Sequence, residues 1–357
     1  MRTCTCRATT GSLSSCQRKY RHDRGNGIMR ALVYGGGAVG LGLASCLLRS
    51  QVSVDIIARQ GTVSALREKG LVRTGIFGDF CASPSTFGSW ASLRELPAGS
   101  CDYILACTKS FDSADAAKDL SLHSSLFAAE TKIVLFQNGW GNAEAFLGCF
   151  EKERIYNARV ITGFERHEPN EVCVTVHADA IHIGSLFGCD PSAVAELAEA
   201  IDEGGIPCQV ASGIGKDIWA KMLYNCALNP LGAILGVPYG ALAASGSTRM
   251  IMNGIIKEAF DVMKRAGYET HWQSAEDFLE VFYGKLVPDT AEHKSSTLQD
   301  IAAGKQSEID ALNGAVIELA GEAGMSAPYN CIAYHLVKFK QGAKRVGCRP
   351  PCPQPNS

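Results

Sequence analysis

Hydrophobic and polar positions follow two regimes along this chain of 357 residues. In the first half, apolar runs of strand length occupy residues 31–34, 52–59, 103–108 and 131–136. Between them, apolar positions recur at helical spacing over 41–48, 62–69 and 112–120. Strands alternating with helices predict a mostly parallel sheet with right-handed crossovers. After residue 157 the pattern shifts to two short runs, 172–176 and 180–184. They read as strands paired through a short turn at the domain's far edge. From Gly213 the spacing is helical, and the segment 309–323 is strongly amphipathic, with Leu312, Val316, Leu319 and Ala320 on one side.

Composition narrows the picture. Apolar residues make up 46% and charged residues 20%, the balance of a globular protein with a real core. The 34 Lys and Arg nearly cancel the 36 Asp and Glu, so nothing points to nucleic acid or an anionic membrane. The apolar stretch 227–237 is broken by Asn229, Pro230 and Gly232 and cannot span a bilayer. Fifteen cysteines are scattered without metal-ligand spacing, so no metal site is expected. Most, including Cys46, Cys107 and Cys226, read as small buried hydrophobes in a reducing compartment, which suits the cytoplasm.

Both ends differ from the body. Residues 1–28 are rich in Arg, Ser and Thr, with no acid before Asp23. Two readings stand: a transit peptide directing the chain to a mitochondrion or plastid, or an over-extended start before Met29. Residues 344–357 carry four prolines and read as a disordered tail.

The first strand runs into Gly35-Gly36-Gly37-Ala38-Val39-Gly40 and then into a helix. That is the setting a dinucleotide fingerprint requires. Gly35 permits the turn, Gly37 lets a pyrophosphate approach the backbone, and Gly40 lets helix and strand pack. At the second strand, Asp55 sits mid-strand instead of at the tip where an acid would hold a ribose diol. Arg59 stands at the tip, where a guanidinium suits a 2′-phosphate, so the cofactor expected is NADPH. Lys109 and Asn138 end the next two strands, where ligands of such sheets bind.

In the helical half, Lys221, Asn225 and Asn229 are spaced by fours. They fall within roughly 80° of arc on one face. A cation and two amides on an otherwise apolar helix suggest a face turned to a ligand, although a solvated surface face explains them as well. Pro230 predicts a kink beside Asn229. Further on, Ser296 with Gln299, and Ser307 with Asp310, fit capping boxes. Capping accounts for those residues and for Glu308 in a first turn.

Taken in order, these motifs resemble the ketopantoate reductase family. The resemblance rests on Gly35 to Gly40, Gln137-Asn138-Gly139, Lys221 with Asn225 and Asn229-Pro230-Leu231, and Ser295-Ser296 with Leu298 to Ile301. Glu308-Ile309-Asp310, Asn313-Gly314 and Gly324 with Pro328 and Asn330 complete it, over about residues 29–340. It implies a Rossmann-type dinucleotide-binding domain over 29–212 and an all-helical domain over 213–343, with the active site between them. It implies NADPH-dependent reduction of 2-dehydropantoate to pantoate, a step of pantothenate biosynthesis. Arg59 and Lys109 would lie near the adenosine phosphate, and Asn138 near cofactor and substrate. Lys221 would be the general acid, while Asn225, Asn229, Ser296 and Glu308 would hold the substrate.

Two departures bear on the pocket. Tyr239 stands near a position where many members have asparagine, and residues 161–167 replace a stretch of small residues. Both put the substrate's identity in question more than the cofactor. The rival readings are a reductase of another branched 2-oxo acid, a non-catalytic NADPH sensor, and an amino-acid-linked or sugar-acid dehydrogenase. The apolar helices of the second half suit a homodimer interface and a core equally. Whether Trp140 lines the cleft or packs behind it is open, and lining is the hypothesis adopted.

Overall fold

The computed structural model describes residues 27–97, 99 and 101–345. The expectations for 1–28 and 344–357 lie, but for two residues each, outside these. The strands are β1 (Arg30–Tyr34), β2 (Ser53–Ile57), β3 (Leu71–Gly75), β4 (Phe80–Ala82), β5 (Gly88–Trp90) and β6 (Tyr103–Ala106). They continue with β7 (Lys132–Leu135), β8 (Ile155–Arg159), β9 (Thr162–Glu168), β10 (Glu171–His177), β11 (Ile181–Gly184) and β12 (Cys208–Val210). The helices of this half are α1 (Ala38–Arg49), α2 (Gln60–Lys69), α3 (Ser113–Leu122), α4 (Asn142–Leu147) and α5 (Ala195–Glu203).

The main sheet has the order β12-β11-β8-β7-β6-β1-β2-β5 and is parallel from β5 to β8. Strand alternation splits its core in two. Ala31 and Val33 pack with Leu41 and Leu43 of α1 on one face, while Leu32, Ile104 and Ile133 pack with Ala117 and Leu120 of α3 on the other. This is the Rossmann-type arrangement expected, with every central strand apolar on both sides.

The expected pairing of 172–176 with 180–184 is wrong. β10 pairs with β9 and β3 in a separate sheet of order β4-β3-β10-β9, while β11 joins the main sheet beside β8 and β12. Residues 162–168, not read as a strand, are the true hairpin partner. Their burial grades from partial to exposed, which hides a period of two.

The helical half comprises α6 (Ile214–Leu235), α7 (Tyr239–Ala244), α8 (Gly246–Arg265) and α9 (Ala275–Val281). After these come α10 (Val287–Asp289), α11 (Ser296–Ala302), α12 (Asn313–Glu322) and α13 (Pro328–Arg345). Its core gathers Trp219, Met222, Leu223, Ile255, Ile256, Phe260, Phe278 and Val316 around α6. α6 runs unbroken through Pro230. Proline leaves the carbonyl four residues back without its helical donor. Here that carbonyl, on Cys226, accepts instead from the Asn313 side-chain amide at 3.0 Å. Asn313 also donates to Asn330, which donates in turn to Ile255 O at 3.1 Å, so the repair is tied into α8 and α13.

Other local expectations shift by a residue or more. The cap of α11 is Ser295, whose hydroxyl accepts from Leu298 N–H at 3.0 Å, and Ser296 is the first helical residue. Ser307 caps nothing and accepts from the Gln341 amide. Ile309–Ala311 is a single 3-10 turn, and α12 starts only at Asn313. Of the described cysteines, Cys46, Cys107, Cys208 and Cys226 are buried, whereas Cys81 and Cys149 are exposed and the rest partly so, which corrects the expectation that most are buried. Among the described residues no helix is long and apolar enough to cross a membrane.

Candidate active site

The glycine turn is shaped for a nucleotide. Gly35 adopts φ +118°, and a Cβ there would meet the Cys107 carbonyl carbon at 2.7 Å. A Cβ on Gly40 would lie 2.0 Å from the Gly35 oxygen, so helix and turn touch only because that residue is glycine. Gly37 faces open space, with nothing within 4 Å of a built Cβ, and places no side chain over the first turn of α1. The amides of Ala38, Val39 and Gly40 stand in the first turn of the helix, where they have no intrahelical acceptor, which suits a pyrophosphate. Asp55 accepts from Trp90 Nε1 at 2.8 Å, beneath Gly88, and is occupied there. Arg59, at the tip of β2, precedes the first turn of α2 and is exposed.

At the carboxyl end of β7, the chain crosses to the helical half. Gly139 takes φ +93°, and Trp140 N–H donates to Ala311 O at 2.8 Å. The Trp140 ring packs on Trp219 and Tyr268, with centroids 5.0 and 4.5 Å away. It is buried in the helical core behind the cleft, not lining it. An indole at this point bolts the two halves together, and Asn138, two residues earlier, is held at the junction.

Asn138 is the hub. Its Oδ1 accepts from Lys221 Nζ, and its Nδ2 donates to Glu308 Oε2 at 3.2 Å. The Lys221 ammonium donates also to Val160 O, just past β8. Enclosure lowers the Lys221 pKa to about 8; the Glu308 carboxylate works against that shift and the Arg159 guanidinium adds to it. Glu308 is 6% exposed, and its Oε1 accepts from Ser110 N–H at 3.0 Å. A small cavity of about 20 Å3 beside Lys221 is lined by Gln137, Asn157, Arg159 and Asn225, room for about one water. Gln137 Oε1, Asn157 Oδ1 and Arg159 Nη1 are buried there without a protein partner.

Not every expected residue meets this cluster in the same way. Asn225 lines the cavity. Asn229, 4% exposed, has its Oδ1 taken by the Tyr239 hydroxyl at 2.6 Å. Tyr239 therefore braces Asn229 from within the fold, and burial holds its phenol far above the ordinary pKa. Ser296 is exposed at the start of α11. Lys109 pairs with Asp300 at 2.9 Å and Glu308 at 3.6 Å. Burial opposes its charge, but those two carboxylates outweigh burial and raise its pKa. It thus stands at the domain junction beside Glu308, at the head of the 3-10 turn whose Asp112 acts on Arg59. Arg159, Asn157, Ser110 and Asp300 were missed in the sequence. The signal available for Arg159 was a lone charge ending an apolar strand at the sheet's ligand-binding edge.

A Rossmann-type sheet, a glycine turn open to a nucleotide and an enclosed lysine from a helical domain define a two-domain pyridine-nucleotide oxidoreductase. Residues 31–188 match the family model described as Ketopantoate reductase PanE/ApbA, and residues 214–341 match Ketopantoate reductase PanE/ApbA C terminal. The 2-dehydropantoate 2-reductase of Aquifex aeolicus (strain VF5) is 34% identical over 315 residues, 88% of this chain and 97% of that one. A PanE/ApbA family ketopantoate reductase from Ralstonia eutropha JMP134 has TM-score 0.77 and 27% identity, covering 89% of this chain and 100% of its own. A D-mandelate dehydrogenase solved with NADH and anilino(oxo)acetate has TM-score 0.79 at 22% identity, covering 89% of this chain and 100% of its own, a likeness of fold. The chain belongs to the ketopantoate reductase family, a family of pyridine-nucleotide-dependent reductases.

Proposed function

We propose that this protein reduces 2-dehydropantoate to pantoate with NADPH, a step of pantothenate biosynthesis in the cytoplasm. The observation that carries the reading is the enclosed Lys221 ammonium, hydrogen-bonded to Asn138 and backed by Glu308 across the domain junction. Bound NADPH supplies the hydride; its phosphates fit the open turn at Gly37 and its 2′-phosphate fits Arg59. With Asp55 committed to Trp90, no carboxylate on β2 is left to claim a ribose diol.

As hydride reaches the keto carbon, negative charge grows on the carbonyl oxygen. Lys221 stabilises that charge and passes its proton to it. The overall change consumes one 2-oxo acid, one NADPH and one proton. With a pKa of about 8, Lys221 is mostly charged at neutral pH, yet acidic enough to let the proton go. Asn138 fixes the ammonium, and Asn225 presents an amide on the same helical face. Ser296, exposed at the start of α11, can donate to the substrate's carboxylate. Glu308, charged, suits a substrate hydroxyl and repels a carboxylate. The exposed Cys149 thiol is compatible with a reducing setting.

A second reading, reduction of another branched 2-oxo acid, is favoured by one contact. Tyr239 donates to the Asn229 carbonyl and so takes one of its two acceptor positions from any substrate hydroxyl. NADPH oxidation by the purified protein decides between them, with 2-dehydropantoate offered beside pyruvate and 2-oxoisovalerate. Strong preference for 2-dehydropantoate supports the first reading. Turnover of a different acid supports the second, and cofactor binding without turnover of any would overturn both.

A further inference from the structure

The β9–β10 hairpin belongs to the second sheet, but it is clamped onto the nucleotide-binding helix. The Phe164 ring lies against Gly42 of α1, so closely that a Cβ on Gly42 would come within 2.3 Å of it. Successive side chains of a strand point to opposite faces. Glu165 is near enough to His293 of the helical domain to act on it electrostatically. Arg166 turns instead to the cofactor turn. Its Nη1 donates to Gly36 O at 3.3 Å and its Nη2 to Thr62 Oγ1 at 2.5 Å. It donates as well to Pro169 O at 2.7 Å and Glu168 O at 3.3 Å.

Gly36 belongs to the turn after β1, and Thr62 to the first turn of α2, where its N–H meets Arg59 O at 2.8 Å. The Arg166 guanidinium therefore spans the two elements between which the adenosine ribose of a Rossmann-type site lies. All its partners are neutral oxygens, and among the described residues it forms no ion pair. Burial and the nearby Arg59 guanidinium both work against its charge. The Asp112 carboxylate acts on Arg59. Two guanidiniums brought together repel one another until an anion sits between them. One N–H of Nη1 remains to be offered to it.

We propose that Arg166 is a second cofactor-discriminating residue, holding the 2′-phosphate of NADPH from the hairpin side while Arg59 holds it from β2. The departure of residues 161–167 from the family pattern thus bears on the cofactor as well as on the cleft. This proposal rests on the NADPH reading above.

The test is equilibrium binding to the full chain, followed by calorimetry, of NADP+, NAD+, 2′-AMP and ADP. Arg166→Gln keeps donors for Gly36 and Thr62 but removes the charge. It is expected to weaken NADP+ and 2′-AMP by about tenfold to a hundredfold. NAD+ and ADP should stay within about twofold, which also shows that the variant is folded. Arg166→Lys should restore only part of the loss, because an ammonium cannot bind in a paired fork. Equal weakening of NADP+ and NAD+ would make Arg166 a support of the turn and overturn the proposal. So would NADP+ preference that Arg59→Ala abolishes and Arg166→Gln leaves intact, with the NADPH reading surviving. A wild-type protein that binds NAD+ as tightly as NADP+ would sink that reading, and this one with it.

Discussion

At the scale of single residues, the proposed chemistry turns on how Lys221 is charged. Enclosure pushes the Lys221 pKa down, and the Glu308 carboxylate works to keep the proton on. The pKa of about 8 has a definite consequence. The acid form is present below that value and is lost above it, so kcat/KM should be level near neutrality and fall as pH rises through about 8. Lys221→Ala should lose roughly a hundredfold to ten-thousandfold in kcat and lack that limb altogether. Arg159 pushes in the opposite sense from Glu308. Removing its charge in Arg159→Gln should therefore move the limb to higher pH. A pH–rate profile unchanged in Arg159→Gln would show that the guanidinium does not act on Lys221. The sequence made Lys221 legible through its spacing from Asn225 and Asn229. It could not reveal Arg159, because what matters is proximity across the fold from β8 to α6.

At the scale of elements, α6 shows why a local rule can fail. Proline normally ends or kinks a helix, and Pro230 does remove a hydrogen bond. The missing donor returns from Asn313, eighty-odd positions later. Asn313→Ala should leave the buried Cys226 carbonyl unpaired and destabilise the fold by about 1–3 kcal/mol, measured by urea unfolding. A double-mutant cycle gives the sharper check. Pro230→Ala restores a backbone N–H for that carbonyl, so it should reduce the cost of Asn313→Ala. Strict additivity of the two would mean that the amide has some other role. Strand, turn and helix of the nucleotide site were readable because each signal is local: apolar run, glycines, periodicity. The β9–β10 hairpin and the α11 cap were not. For the hairpin, 180–184 was an equally plausible partner of 172–176 in sequence, and only packing against α1 and β3 selects 162–168. For the cap, Ser295 and Ser296 are chemically alike, and the choice is made by Ser295 donating to Asn229 O at 3.2 Å, a contact with α6.

At the scale of the whole molecule, the site exists only because the two halves meet. Trp140 carries the end of β7 into the helical core. Glu308 reaches back to Ser110 N–H and to Asn138, and Lys109 joins Asp300 and Glu308. Lys221, the Asn138 amide that accepts from it and the Glu308 carboxylate that favours its charge come from three separate stretches of chain. Glu308→Gln tests that coupling. The amide oxygen can still accept from Ser110 N–H, but the amide nitrogen cannot accept from Asn138 or pair with Lys109, so the unfolding midpoint should fall modestly while the fold persists. The negative charge is gone, however, and with it the influence that opposes burial at Lys221. The Lys221 pKa should then fall below about 8. The alkaline limb of kcat/KM should move to lower pH, opposite to its movement in Arg159→Gln, and activity at neutral pH should drop as less of the lysine carries a proton. If activity fell uniformly at every pH with the limb in place, Glu308 would be acting on substrate alone, and the two domains would not share control of the proton.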